Sequence, residues 1–201
     1  YYPEPVSQII MTHLPWTLFL LGTAMVISVI IGIVIGSYSG WKRGNVDSML
    51  QGISIGLTSV PYFWLGLIMQ LVFAVLIVVN GAPLFPVAQA YGLLRTPGFN
   101  LPFIISVIRH ATLPIVTLVL TTFPGFALLM RNTVVTVLDE DYVLLAKAKG
   151  LSTNTIRRRY VNKNALLPVT TSVALAFASI VGGAFLVEEI FSYPGIGYTL
   201  F

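Results

Sequence analysis

The chain has 201 residues, of which 56% are hydrophobic and only 9% charged, with a net charge of +4. A soluble domain carries roughly 25% charged residues, so this composition excludes an ordinary water-soluble fold and points to a polytopic membrane protein. The absence of cysteine excludes disulfides and thiolate metal sites.

At the N-terminus, "YYPEPVSQII" has no basic n-region and does not begin with Met, and the chain stops abruptly at "GIGYTLF". Both ends read as cuts through a larger protein. A first membrane span is predicted over 17–38, an uncharged run flanked by Trp16 and Trp41 as interfacial aromatics. Ser28, Gly32 and Gly36 fall on one face of it, and Gly52 and Gly56 repeat the spacing further on. Two readings stand for these positions: close helix approach, or the general abundance of glycine in membrane helices.

The next apolar stretch, 49–79, is too long for one straight span. Pro61 removes a backbone donor and clashes with the preceding turn. A kink is therefore expected there, with a helix or half-helix over 49–60 and the crossing over 61–79. Residues 80–101, rich in proline and glycine, read as a loop with short amphipathic pieces. A third span is predicted over 111–130, broken by Pro114 and Pro124. A fourth is predicted over 165–187, with Pro168 in its first turn, where spare N–H groups make proline tolerable.

Basic residues set the direction. Lys42 and Arg43 lie in one link, and Arg131, Lys147, Lys149, Arg157, Arg158, Arg159 and Lys163 in another. The intervening link holds Arg95, with Arg109 at its border. Residues 40–48 and 131–164 are thus expected in the cytoplasm, and 1–15, 80–110 and 188–198 on the opposite side. No charge sits in the middle of any predicted span, which argues against an internal proton relay or an intramembrane enzyme. No phosphate-binding glycine loop and no "HExxH" occurs. His13 and His110 have no metal-ligand partner at motif spacing and read as interfacial.

The densest charge lies in "DEDYVLLAKAKGLSTNTIRRRY", 139–160. Asp139, Glu140 and Asp141 suit a helix N-terminus, and Lys147 and Lys149 its C-terminus. Gly150 is placed to end the helix and Ser152 to cap a second one. Val143, Leu144, Ala146 and Ala148 offer a small apolar surface. It is either a solvated connector or an element that docks on a partner.

The run "DYVLLAKAKGLSTNTIRRRYVNKNALLPV" closely resembles the cytoplasmic loop of ABC-transporter permease subunits, in the dipeptide/oligopeptide/nickel branch. The matching residues are Asp141-Tyr142-Val143, Ala148-Lys149-Gly150-Leu151 and Asn164-Ala165-Leu166-Leu167-Pro168. "EEIFSYPGIGYTL", with Glu188, Phe191, Pro194, Gly195 and Gly197, resembles a second signature of that family, and "HATLP" and "LPWTL" also fit. In one respect the chain departs: the broad superfamily begins its loop motif with Glu-Ala-Ala, where Leu144, Leu145 and Ala146 stand here.

The resemblance implies an all-α helical bundle like an ABC importer transmembrane domain, with four to five helices present of a typical six. It implies a multi-pass subunit in a prokaryotic cytoplasmic membrane that is not itself an enzyme. The expected partners are a second permease, two cytoplasmic ATPase subunits that bind ATP and magnesium, an extracytoplasmic binding protein and lipid. No cofactor on this chain and no nucleic acid are expected.

Coupling to the ATPase would fall to Asp141, Tyr142, Ala146, Lys147, Ala148, Lys149, Gly150, Leu151 and Arg157. Lys147, Lys149 and Arg157 would meet either acidic ATPase residues or lipid phosphates. A translocation path would be lined by Thr58, Ser59, Tyr62, Gln70, Thr117, Thr121 and Thr122, polar groups that intramolecular hydrogen bonds explain nearly as well. Pro194, Gly195 and Gly197 would form an extracytoplasmic gate, with Glu188 and Glu189 either contacting the binding protein or simply solvated. Peptides lead as cargo, ahead of nickel chelates and oligosaccharides. An ion-coupled secondary transporter and a structural scaffold are the rival classes.

Overall fold

The computed structural model describes residues 5–92, 96–178 and 185–200. Its helices are α1 (Val6–Lys42), α2 (Asn45–Ser59), α3 (Tyr62–Gln70, continued by a π-helical stretch Leu71–Leu76), α4 (Leu101–Leu138), α5 (Asp141–Ala148), α6 (Thr153–Thr155), α7 (Lys163–Ala178), α8 (Phe185–Ile190) and α9 (Ile196–Thr199). A second π-helical stretch, Ile156–Asn162, joins α6 to α7. The chain forms two compact units: Tyr1–Met25, Val60–Val119 and Ser179–Phe201 in one, Val26–Ser59 and Leu120–Ala178 in the other.

Among the described residues, two helices are long and apolar enough to cross a membrane, Val6–Lys42 and Leu101–Leu138, or up to three if the interrupted pair Asn45–Ser59 and Tyr62–Leu76 counts as one span. The expected break at Pro61 is present. The breaks expected at Pro114 and Pro124 are not, since α4 runs through both. Each proline removes a single N–H, and the intact ladder on either side holds the helix together. The helix also begins ten residues before the predicted start, at Leu101, where Asn100 Oδ1 accepts the Phe103 N–H at 2.9 Å.

The expected fourth span coincides with α7 over its first part. Residues 179–184 lie outside the described residues, and the 16 described residues of α7 fall short of the roughly 20 needed to cross. Pro168 is interior rather than in a first turn, because helical structure already starts at Thr153. Arg95 also lies outside the described residues.

In the unit containing Val26–Ser59 and Leu120–Ala178, glycine decides the packing. A Cβ on Gly32 would come 2.6 Å from Phe126 Cβ. One on Gly36 would overlap the Ala127 carbonyl, and one on Gly40 would meet the Arg131 carbonyl at 2.8 Å. The α1 backbone therefore rests on the α4 backbone, as small residues permit. Gly52 and Gly56 differ: a Cβ at either meets nothing within 4 Å, so their spacing serves no contact among the described residues. Around the close approach lies a core of Met130, Val134 and Val137 of α4 with Val143, Ala146, Ile156, Val161, Ala165 and Val169.

Asp47, 4% exposed, lies beside this packing. Arg131 grips it in a two-point ion pair, Nε to Oδ1 at 2.9 Å and Nη2 to Oδ2 at 2.5 Å, and Ser39 Oγ donates to Oδ1 at 2.5 Å. Bidentate pairs of this kind are the strong ones. The pair ties α1, α2 and α4 together.

In the other unit, the core is Leu20, Ala74, Ala90, Ala111, Leu113, Val187, Phe191 and Tyr193. Trp16 stacks on Tyr91 with centroids 5.8 Å apart and meets the Tyr193 ring edge-on. Trp41 likewise packs on the core of its own unit. Within the predicted loop, Val78–Val79 and Ala82–Pro83 pair as a small antiparallel hairpin. Asn80 and Gly81, at φ 52° and 79°, form the left-handed turn that such hairpins favour.

The glycine contrast is measurable by thermal denaturation of the purified protein in detergent. Gly36→Ala is expected to lower stability by about 1–3 kcal/mol through overpacking. Gly52→Ala is expected to be neutral or to raise it by up to about 1 kcal/mol, the ordinary helix-propensity gain.

Candidate functional site

The charged segment 139–160 folds as helix, glycine turn, helix. Glu140 is the N-cap of α5 in extended backbone, although no side chain makes the capping bond. Asp141 occupies the first turn and Lys147 the last, the favourable polarity for the helix dipole. At the other end the Leu151 N–H reaches the Ala146 carbonyl (3.3 Å) and the Gly150 N–H the Lys147 carbonyl (3.0 Å). Gly150 sits at φ 71°. This pair of bonds with a left-handed residue is the Schellman termination. Ser152 Oγ then accepts the Thr155 N–H at 3.3 Å and starts the next helix.

Of the residues expected on the outer surface of α5, two are inside. Val143 is fully buried and Ala146 is 2% exposed, both in the core with α4 and α7 residues. Ala146 therefore anchors the helix rather than presenting it. Asp141, Tyr142, Leu144, Leu145, Lys147, Ala148, Lys149 and Gly150 are exposed, and Leu151 and Arg157 half-buried. Leu144 and Leu145, at 65% and 55% exposure, make the outward face more apolar than the sequence reading allowed. A Cβ at Gly150 would meet nothing within 4 Å, so its backbone conformation alone demands glycine.

The second constellation belongs to the other unit. Glu188 is wholly buried, which corrects the expectation that it is simply solvated. Thr17 Oγ1 donates to Oε1 at 2.7 Å and the Tyr198 N–H to Oε2 at 3.2 Å. Thr17 Oγ1 in turn accepts the Ile196 N–H at 2.8 Å. The carboxylate and the threonine thus satisfy the first N–H groups of α9, which helix geometry leaves unbonded. A Cβ on Gly195 would fall on the Glu188 carboxyl group, and one on Gly197 would lie 2.8 Å from Oε2. Both glycines are required for close approach to this side chain.

His13 Nδ1 donates to the Pro194 carbonyl at 2.9 Å. Glu189 is exposed and Pro194 half-buried. Burial pushes the Glu188 carboxyl up from the usual carboxylate range, opposed by the Thr17 hydroxyl, the Tyr198 and Gly197 backbone and the nearby His13. Burial, with Glu188 beside it, also pushes the Tyr193 phenol up. The Tyr193 hydroxyl has no hydrogen-bond partner among the described residues.

The polar residues expected along a path divide between the two units. Gln70 Nε2 donates to the Val87 and Ile190 carbonyls at 2.8 and 3.0 Å, which fixes a loop to α8. Thr117 is fully buried, and its hydroxyl donates to the Leu113 carbonyl at 2.9 Å. Thr58 and Ser59 bond back to Ile55. Tyr62, Thr121 and Thr122 are half-buried. His110 Nδ1 donates to the Ser106 carbonyl at 2.7 Å. Sequence reasoning missed His13 and Thr17 as partners of the 188–198 segment. The only signal was "LPWTL", and a contact across 171 residues leaves no mark in local spacing.

The chain matches the family described as "Binding-protein-dependent transport system inner membrane component" over residues 32–201. It is 33% identical to the oligopeptide transport system permease protein AppB of Bacillus subtilis, over 96% of this chain and 58% of that protein. It is 32% identical to the dipeptide transport system permease protein DppB of Alkalihalophilus pseudofirmus, over 98% of this chain and 62% of that protein. The putrescine export system permease protein SapB of Escherichia coli K12 is 31% identical, over 98% of this chain and 65% of that protein. The chain thus spans about six-tenths of the length of the curated relatives it matches.

Two outcomes follow, one for the buried carboxyl group and one for the buried phenol. Because the carboxyl group's value is raised in the folded state, its contribution to stability is complete below about pH 4.3, the ordinary glutamate value, and is lost as pH rises through the folded value. Glu188→Gln is expected to flatten the decline of melting temperature with pH above that point. Tyr193→Phe removes a buried hydroxyl that lacks a partner and is expected to leave stability unchanged or raise it by about 1 kcal/mol, read by the same melting curves.

Proposed function

The chain belongs to the family of binding-protein-dependent transport system inner membrane components, and from that premise we propose that it is the membrane-spanning subunit of an ATP-driven importer of short peptides. The observation that carries this reading is the α5 element. An exposed face of Leu144, Leu145, Lys147 and Lys149 stands on a buried base of Val143 and Ala146. It is bounded by a Schellman turn at Gly150 and a capped helix start at Ser152. A solvated connector needs no such construction. A lever gripped by a cytoplasmic ATPase does.

A push on α5 passes through Val143 and Ala146 into Met130 and Val134 of α4 and Ala165 and Val169 of α7. Close-packed cores transmit such displacements rather than absorbing them. ATP-driven closure of two ATPase subunits would thereby bias α4 and α7 between two arrangements, the linkage that alternating access requires. The basic residues of 131–163 support a cytoplasmic position for this element in a prokaryotic cytoplasmic membrane. Peptide cargo is supported by the names of the oligopeptide and dipeptide relatives. Nickel chelates, oligosaccharides and polyamines are the competing cargoes.

The test is reconstitution of the full-length permease, its partner permease, two ATPases and binding protein in vesicles, with uptake of labelled peptides followed on ATP addition. Peptide uptake dependent on ATP and on the binding protein is expected. Uptake driven by an ion gradient without the ATPases, or flux of another cargo only, rejects the proposal. Leu144→Asp together with Leu145→Asp is expected to lower uptake at least tenfold while the melting temperature stays near that of the parent, since both side chains point outward. Gly150→Leu is expected to lower uptake comparably, with a fall in melting temperature from the strained turn.

A further inference from the structure

In the unit holding Glu188, a cleft of about 260 Å³ opens between the 89–91 segment and the 192–198 segment, lined by Gln89, Ala90, Tyr91, Ser192, Pro194 and Tyr198. Its volume lies just under the range of about 300–1,000 Å³ typical of ligand pockets. No charged side chain lines it among the described residues. Its polar groups are one carboxamide and three hydroxyls, and its walls include two tyrosine rings and a proline.

Backbone conformation at the rim is unusual. Four non-glycine residues have positive φ among the described residues, and two of them, Gln89 (φ 73°) and Ser192 (φ 44°), face this one cleft. Such conformations persist where the surroundings over-determine them, and they gather at ligand sites. The surroundings here are identifiable. The Gln89 N–H bonds to the Phe191 carbonyl at 2.9 Å, Pro194 is held by His13, and the Tyr198 N–H is held by Glu188. The two strands of chain that form the cleft are therefore fixed from behind by buried groups, while Gln89 and Tyr198 remain exposed at its mouth.

From this arrangement we infer that the cleft is a subsite for an uncharged stretch of peptide main chain, a refinement that rests on the peptide-import reading. A carboxamide pairs with an amide as both donor and acceptor. Tyrosine rings offer flat apolar walls with a hydroxyl at the tip. Lack of charge in the lining disfavours a charged end group, which would lose water without gaining a counter-ion. The cleft thus selects the interior of a peptide rather than its termini.

Trp16 supplies the readout, because it stacks on Tyr91, which lines the cleft. In the full transporter with every tryptophan except Trp16 replaced by phenylalanine, in the whole of this subunit and in its partner subunits, Trp16 is the sole tryptophan. The probes are N-acetyl-alanyl-alanine amide and, for comparison, unblocked Lys-Lys and Asp-Asp. We expect saturable titration by the blocked peptide and at least tenfold weaker binding of both charged probes. Gln89→Gly keeps the backbone conformation and removes the carboxamide, and Tyr198→Ala removes a wall but keeps the N–H bonded to Glu188. Each is expected to weaken the blocked peptide at least tenfold. Unchanged affinity in both variants, or charged probes binding as tightly, overturns the inference. A parent complex that imports peptide but gives no saturable signal overturns the cleft and leaves the import reading standing. A complex that titrates as expected but does not import supports the cleft and rejects the import reading.

Discussion

The approach of α1 to α4 at Gly32, Gly36 and Gly40 is the constraint on which the Val26–Ser59 and Leu120–Ala178 unit depends. With hydrogen in place of a methyl group, the α1 backbone comes to rest against carbonyls of Phe123, Ala127 and Arg131. Lipid chains are as apolar as leucine, so hydrophobicity alone would not hold two such helices together, and dispersion at short range must do so. The same closeness sets Arg131 against Asp47, to which Ser39 also donates. A buried carboxylate at 4% exposure would be costly alone and is tolerable only with this pairing. The C-terminal half of α4, so anchored, becomes the platform on which Val143 and Ala146 seat α5.

The other unit solves a different problem. The segment after α8 turns sharply, and the short helix α9 exposes N–H groups that must find acceptors away from bulk water. Glu188 and Thr17 provide them from inside. Pro194 and the two glycines of "PGIG" have complementary duties: proline ends the preceding run, and the glycines admit the carboxyl group against the backbone. The segment expected to form a gate is, in its physical detail, chain wrapped around one buried acid. The cleft at Gln89 and Ser192 owes its fixed walls to the same wrapping.

Much of this was legible in the order of residues. Charge placed at the two ends of α5, Gly150 after it and Ser152 before the next helix act through neighbours three or four positions away, and such local effects can be read directly. Of the four membrane-length apolar runs expected, the two that became α1 and α4 were equally plain. Prolines were an uneven guide: Pro61 marked a break as expected, whereas Pro114 and Pro124 interrupt nothing and Pro168 lies inside a helix rather than in its first turn. Long-range partners were invisible. Nothing near Glu188 announces Thr17, and nothing near Asp47 announces Arg131. Ala146 was misplaced because a small residue on a short amphipathic helix fits either face, and only the packing against Met130 and Val134 decides. The identical spacing of Gly32–Gly36 and Gly52–Gly56 had opposite outcomes for the same reason: a motif states that two backbones can meet, while the second backbone decides whether they do.

Gly150 has empty space where a side chain would begin, and only the sign of its φ forbids one. The demand at this corner is one of handedness rather than room. Asparagine, which tolerates the left-handed region better than other side chains, is therefore the natural second choice there, whereas valine or isoleucine would be refused although neither touches anything. Tolerance at the corner is ranked by torsional preference, so size is a poor guide to which replacements the bend between the two helices will survive.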